Sequence, residues 1–381
     1  MFESWVTAYP WDIFDEGEAG VLDRLQGETG VTGIAVWAAC PPVREFRVRE
    51  IQPRFVSARG GVCFSPTDSY YVSTRCKPIA ADTHRGKDAL RRIAEACNRW
   101  GLALRAIVSA SATGQLARRY SEMSAKNAFA APSEYAVCPA VPDVEAYLVG
   151  LVSDLSANYP LAAVVVTDFV IAWLDAYTGE RLGPGRWSEA QRRLLSMCFC
   201  ESCRQKAGAA GIDVESASRA VRSMIQARFD RGPSYDAELE RTIFDQNELI
   251  SYSRWQGGEL SALLGRLKEA CRCELVWGRA VRHEACKLPA NREVINAFAV
   301  LTSIDRPEDL PKALLAKALR SEASFSSTFM LGTDSAEIVS IAGEAARLGI
   351  AAVSFEHYGA LSNGALVTVK QAIRLGRRSN P

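Results

Sequence analysis

Two groups of residues in this 381-residue chain have the types and spacing to do chemistry. The first is a set of carboxylates at the ends of apolar runs. Asp168 closes Ala162-Ala-Val-Val-Val-Thr167, Glu356 closes Ala351-Ala-Val-Ser-Phe355, and Asp305 and Asp334 follow two further runs. Carboxylates gathered at one mouth can divide the work of acid, base and nucleophile at a glycosidic bond. Trp37, Trp277 and Tyr358 offer aromatic faces on which a sugar ring can stack, and His357 adds a polar contact. The second group is Cys198-Phe-Cys200-Glu-Ser-Cys203 with Cys138 upstream. Four thiolates complete a tetrahedral zinc site and leave no open position for water, so such a metal would be structural. Cys271-X-Cys273 is a weaker candidate, because Cys273 sits inside an apolar run where Cys serves as a small core residue.

The elements that must position these residues alternate. Strands are expected at 4–8, Gly33–Trp37, Leu102–Val108, Ala162–Thr167, Cys273–Trp277, Val294–Val300, Ser326–Leu331 and Ala351–Phe355. Between them lie helical patterns, of which Val144, Tyr147, Leu148, Leu151, Val152 and Leu155 form the clearest. Gly101 ends the helix that buries Leu90, Ile93 and Cys97, and Pro160 blocks continuation of the helix before strand four. Eight such repeats predict an α/β fold, a single (β/α)8 TIM barrel over residues 1–381 with no linker inside it. Residues 41–82 and 109–137 are expected as long loops on the catalytic face, the first carrying a hairpin of Glu45–Ile51 against Arg54–Ser57. Active sites of this fold sit where the strands end at their C-termini. That rule selects Trp37, Asp168, Trp277, Asp305, Asp334, Glu356, His357 and Tyr358. The competing reading of Asp305 and Asp334 is a plain helix N-cap.

Composition limits the partners. Lys and Arg number 45 against 44 Asp and Glu, which leaves no net field to attract nucleic acid or an anionic membrane. No run reaches membrane-spanning length, and Met1-Phe-Glu-Ser-Trp5 lacks the features of a secretory signal. The eleven scattered cysteines do not make a disulfide scaffold, so a reducing cytoplasm is expected. No dinucleotide fingerprint, phosphate loop or His-Glu-X-X-His occurs, so no organic cofactor is expected. With only three histidines, His84 and His283 read as loop residues and His357 stands out by position.

Cys138-Pro139, Pro142, Val144, Asp168 and Cys198-X-Cys200-X-X-Cys203-Arg204 carry a resemblance. Over about residues 100–215 the chain resembles barrel-shaped glycoside hydrolases with this cysteine pattern: the hypothetical glycosyl hydrolase group and, more distantly, the family 42 beta-galactosidases. The resemblance implies zinc at the four cysteines and carbohydrate hydrolysis at the mouth. One departure matters. Family 42 enzymes carry Asn-Glu shortly after Thr-Asp, with that Glu as acid/base, whereas this chain reads Thr167-Asp168-Phe169-Val170.

The leading expectation is therefore a cytoplasmic hydrolase that cleaves a glycosidic bond in a small sugar or glycoside, with Asp168 and Glu356 catalytic. A sugar isomerase or epimerase is the second reading, and the scarcity of His weighs against it. A non-catalytic sugar-binding barrel is the third, favoured by the missing acid/base. A small carbohydrate is the expected partner, and homo-oligomerisation is left open.

Overall fold

A computed structural model describes residues 2–83, 88–167, 188–242, 245–279, 299–304, 328–331, 337–347, 350 and 352–379. Eight parallel strands make the centre: β1 (Glu3–Ala8), β2 (Gly33–Cys40), β3 (Ala103–Ser109), β4 (Ala163–Thr167), β5 (Glu274–Arg279), β6 (Ala299–Ile304), β7 (Thr328–Leu331) and β8 (Ala352–Phe355). Each pairs with its neighbours in chain order, and the sheet curls until β1 hydrogen-bonds both β2 and β8. Segments 168–187, 280–298, 305–327 and 332–336 lie outside the described residues, and with them part of the strand–helix alternation. Asp168, Asp305 and Asp334 fall in these segments, as do His283 and, in another, His84. Strand six ends four residues later than its apolar run suggests, at Ile304.

Side-chain parity gives the curled sheet two faces. Ile34, Val36, Val164, Val166, Val353 and Phe355 belong to the large core that the sheet shares with its helices. Ala35, Ile107, Ala163, Val165 and Val276, with Trp37 against them, form a separate cluster on the inner face. At the N-terminal end of that face the Trp5 ring fills the space over Gly33, where a Cβ would lie 2.3 Å from it. The Arg105 guanidinium stands 3.8 Å from the centre of the Trp5 ring.

Helix α1 (Pro10–Glu16) starts directly after β1, with Pro at its first turn and Asp12 closing a capping box on Tyr9. Helix α2 (Ala89–Trp100) has Asp88 as N-cap and ends on Gly101 at φ 65°, a left-handed position that suits glycine. Helix α3 (Pro142–Asn158) carries the apolar face read from the sequence.

The two long excursions divide. Residues 43–46 and 55–58 form an antiparallel hairpin whose first strand stops at Phe46, five residues short of the expected Ile51, and Gly61–Val62 pairs antiparallel with the end of β2. The chain then leaves the mouth and packs on α3. There Asp154, buried in the helix, accepts hydrogen bonds from the Thr67 amide at 2.8 Å and the Tyr71 hydroxyl at 3.1 Å. The catalytic-face expectation for residues 41–82 therefore holds for the hairpin and is corrected for 67–76, which serve the outer packing. The second excursion carries its own hairpin, Ser124–Lys126 with Pro132–Val137, which leads into Cys138.

Candidate functional site

Three segments meet at the C-terminal end of the strands. Asp12 comes from the first turn of α1, directly after β1, Glu45 from the hairpin after β2, and His357 from the loop after β8. One polar atom from each lies within 4.8 Å of those of the other two. The Nε2 of His357 sits 2.7 Å from Oε1 of Glu45, and its Nδ1 sits 3.7 Å from Oδ2 of Asp12. Asp12 is only 1% exposed, and its Oδ2 accepts the Tyr9 amide at 2.9 Å. Neither imidazole nitrogen, nor Oδ1 of Asp12, nor either oxygen of Glu45 has an in-line hydrogen-bond partner among the described residues. Such groups are costly to bury unless opposite charge compensates them.

Arginines brace this cluster. Arg47, fully buried, is 2.8 Å from Asp15 and 3.6 Å from Asp12. Arg49 reaches Glu16 at 2.9 Å, donates to the Tyr358 carbonyl at 3.0 Å and lies over the Tyr358 ring. Burial raises the Asp12 carboxyl to about 6, with Glu45 adding to the rise and His357, the Tyr9 amide and Arg47 opposing it. For His357, burial alone would lower the imidazole. Its close contact with Glu45 and the charges of Asp12, Glu45 and Glu356 outweigh that and hold it above its ordinary value.

Aromatic rings line the same place. Tyr9 stacks on Trp11 at 4.4 Å and on Trp37 at 5.7 Å, and the His357 ring meets Tyr9 edge-on at 4.9 Å. Glu356 is exposed and is the first residue after β8, two residues on from Ser354, which pairs with Trp5. Trp37 sits within β2 on that same face, half-buried.

Two sequence expectations are corrected here. Trp277 is mid-strand in β5 and faces the helical core, because the strand runs on to Arg279 and parity sends Val276 inward instead. Tyr358 is fully buried, its hydroxyl accepting from Arg24 at 2.8 Å, so it braces the loop rather than meeting a ligand. Sequence reasoning missed Tyr9, Trp11, Asp12 and Glu45. The signal for the first three was Tyr9-Pro-Trp-Asp12 immediately after the apolar run of strand one, which with strand three yielded no site residue in the sequence reading. Glu45 shows no such signal.

Gly359 lets the backbone pass under the carboxylates. A Cβ there would lie 2.2 Å from Oε1 of Glu45 and 2.7 Å from Oδ1 of Asp12. Glu45 cannot swing aside without leaving His357. Gly359→Ala should therefore cost about 1–3 kcal/mol, the usual range for overpacking, read as a lower urea midpoint with an unchanged slope.

The second site is the cysteine cluster, on the loops after β3 and β4. Cys138 follows the second hairpin. Cys198 and Cys200 lie between helices Glu189–Ser196 and Glu201–Ala209, and Cys203 is in the first turn of the latter. All four are buried and within 4.8 Å of one another, with Sγ of Cys138 and Cys203 3.5 Å apart. The loop is tied down. The Lys126 amide donates to Sγ of Cys198 at 3.3 Å, Gln256 to the Cys198 carbonyl at 3.1 Å, and Arg204 to the Phe199 carbonyl at 3.0 Å. The Phe199 ring stacks on Tyr252, whose hydroxyl also donates to the Cys198 carbonyl. Hydrogen bonds from the other three thiols hold Cys200 below an ordinary thiol and push Cys138 above one. Four thiolates could share this volume only around a cation. The donor set and spacing fit a tetrahedral metal centre.

Asp12, Glu45 and His357 also offer two carboxylates and an imidazole, a donor set known for divalent cations. Their arrangement argues otherwise. The two imidazole nitrogens face different carboxylates, and Arg47 flanks Asp12, so one ion could not take all three without rearrangement.

The fold class is shared with glycoside hydrolases. The catalytic domain of beta-amylase from Paenibacillus polymyxa superposes with TM-score 0.61 at 12% identity, covering 100% of this chain and 99% of that one. The glycoside hydrolase domain of PgaB (BpsB) from Bordetella bronchiseptica gives 0.55 at 12% identity, with coverage of 100% and 99%. Alpha-L-fucosidase isoenzyme 2 from Paenibacillus thiaminolyticus gives 0.57 at 13% identity, and this chain, 98% covered, spans 49% of its length. At these identities the likeness is one of fold. No family model and no curated protein matches the sequence. No helix among the described residues is long and apolar enough to cross a membrane.

Proposed function

We propose that this chain is a glycoside hydrolase, a single (β/α)8 barrel domain over residues 1–381 that cleaves a glycosidic bond in a small sugar or glycoside. One observation carries the reading: the mouth at the C-terminal ends of the strands. There a Trp11–Tyr9–Trp37 stack meets a buried carboxylate–imidazole cluster, and exposed Glu356 is the chain neighbour of His357. Solved proteins of the same fold that hydrolyse glycosides support it. In this reading Glu356 and Asp168 are the reacting pair, Asp305 and Asp334 bind substrate or stand in for them, and Trp37 supplies a stacking face. Asp12 and Glu45, with their oxygens buried, hold the mouth in shape and do not touch the sugar.

The cysteine cluster takes a structural zinc, and the reaction needs no organic cofactor. The protein works in the cytoplasm, and its partner is a small carbohydrate.

The test is hydrolysis of a panel of aryl glycosides and short oligosaccharides, followed by reducing-sugar release and mass spectrometry. Turnover of at least one member that is lost in Glu356→Gln supports the reading. Saturable sugar binding without turnover, across the panel, would move the chain to the non-catalytic class that Thr167-Asp-Phe-Val already suggests.

A further inference from the structure

We propose that His357 is a proton-dependent latch: as an imidazolium it bridges Asp12 in the first turn of α1 and Glu45 of the 43–58 hairpin, and this bridge helps to hold the hairpin as one wall of the mouth. The inference concerns loop positioning and stands whether or not the chain hydrolyses glycosides.

Geometry carries it first. Each ring nitrogen faces its own carboxylate, Nε2 toward Glu45 at 2.7 Å and Nδ1 toward Asp12 at 3.7 Å. A neutral imidazole has one N–H and could serve only one of them, while the imidazolium has two donors. Both nitrogens are buried, so water cannot take the place of the missing partner. With the ring neutral, two carboxylates would face each other across an apolar stack with no cation between them. Like charges in such a site are strongly unfavourable.

The surrounding charges agree. From the start of α1, Asp12 faces the ring and Tyr9 presents its edge. From the hairpin come Glu45 and, beyond Asp12, the buried Arg47. From the ring's own loop, Glu356 adds negative charge, and Arg49 is turned away onto Tyr358 and Glu16. Arg47 is committed to Asp15, which leaves Glu45 without a guanidinium among the described residues. The imidazolium is the cation that Glu45 has. Elsewhere the hairpin is held by Arg47 on Asp15, by Arg49 on Glu16 and by Val56 and Ala58 buried against Tyr9 and Trp11, while Phe46 and Phe55 near Glu45 are 46% and 64% exposed.

The sign follows from linkage. A histidine whose folded pKa is raised contributes stability that is fully present below its ordinary 6.5 and is lost as the pH climbs through the folded value. Asp12, raised to about 6, is ionised above that, so both arms of the latch are charged from about pH 6 up to the His357 midpoint. Above that midpoint the ring keeps a single N–H and can serve only one of the two carboxylates, so the bridge between α1 and the hairpin is broken and the hairpin loosens.

With three histidines in the chain, their imidazoles can be followed individually by nitrogen-15 NMR, His357→Gln assigning the signal. Expected is a His357 midpoint above 6.5, with both ring nitrogens protonated below it, falling in Glu45→Gln. Amide exchange over residues 43–58, corrected for intrinsic chemistry, should quicken at least ~10-fold as the pH rises through that midpoint, the signature of local opening. In His357→Gln the hairpin should exchange fast at every pH, without the step. If that variant does not fold, Glu45→Gln carries the same test. A midpoint at or below 6.5, or corrected exchange that stays flat through it, overturns the latch. Opening in both variants with no pH step in the parent would leave His357 as packing only and overturn it equally.

Discussion

Protein prepared without added metal should carry close to one equivalent of zinc, and removing it should lower the melting temperature by roughly 5 °C. The expectation comes from the sulfurs. Four buried thiols converge from two loops, and the Lys126 amide on Cys198 is too little to neutralise four charges, while the Cys198 and Phe199 carbonyls beside them are already satisfied. In peptides that fold around zinc, the metal supplies on the order of 10–16 kcal/mol. Here most of the core forms without it, so the loss is confined to the loops after β3 and β4 and to Tyr252 stacked on Phe199. A loss of about 3–5 kcal/mol in a chain of this size is a shift of the stated order. Elemental analysis and calorimetry, before and after chelation, check it. Cys200→Ser should reproduce the shift, whereas Cys271→Ser, from the half-buried pair outside the cluster, should not. Zinc below one-tenth equivalent, with Cys200→Ser as stable as the parent, would sink the metal.

How far the sequence could be read depended on whether a feature was local. Parallel strands buried on both faces appear as unbroken apolar runs, and Ala163–Val166 was visible for that reason. The cysteine cluster was visible because three ligands fall within six residues of one another. Trp277 shows where run-reading fails. Its strand continues through Gly278 and Arg279, which no hydrophobic pattern would include, so a residue that looked terminal is internal and faces the helices. The Asp12–Glu45–His357 cluster shows a different limit. Its members are brought together only when β1 pairs with both β2 and β8, a closure that has no signature in local periodicity. Glu45 in particular alternates with exposed Arg44 and Phe46 on a hairpin whose composition reads as a polar loop.

Asp168→Asn and Glu356→Gln should each lower turnover by at least ~100-fold with the fold intact. For Glu356 the grounds are positional. Trp5 pairs with Ser354, Val353 and Phe355 are committed to the helical core, and the next residue of the same parity as Ser354 is Glu356, exposed at the mouth. For Asp168 the grounds are sequence and adjacency, since it follows Thr167, the last residue of β4, which pairs with Ser109. Both substitutions are close to isosteric, so loss of rate with an unchanged melting temperature would locate the defect in chemistry. Removing a group that protonates the leaving oxygen or stabilises an oxocarbenium-like transition state accounts for the size of the effect. The two roles also separate experimentally. If Glu356 is the nucleophile, azide should rescue Glu356→Gln poorly and a small-residue variant well, giving a glycosyl azide of inverted configuration. If it is the acid, substrates with good leaving groups should lose the least rate. Carboxyl groups ~5–5.5 Å apart would accompany retention and ~6.5–9.5 Å inversion, so the anomer of the first product reports the same distance independently. Full activity in either variant removes that residue from the mechanism and transfers its role to Asp305 or Asp334, the carboxylates that follow the sixth and seventh strands.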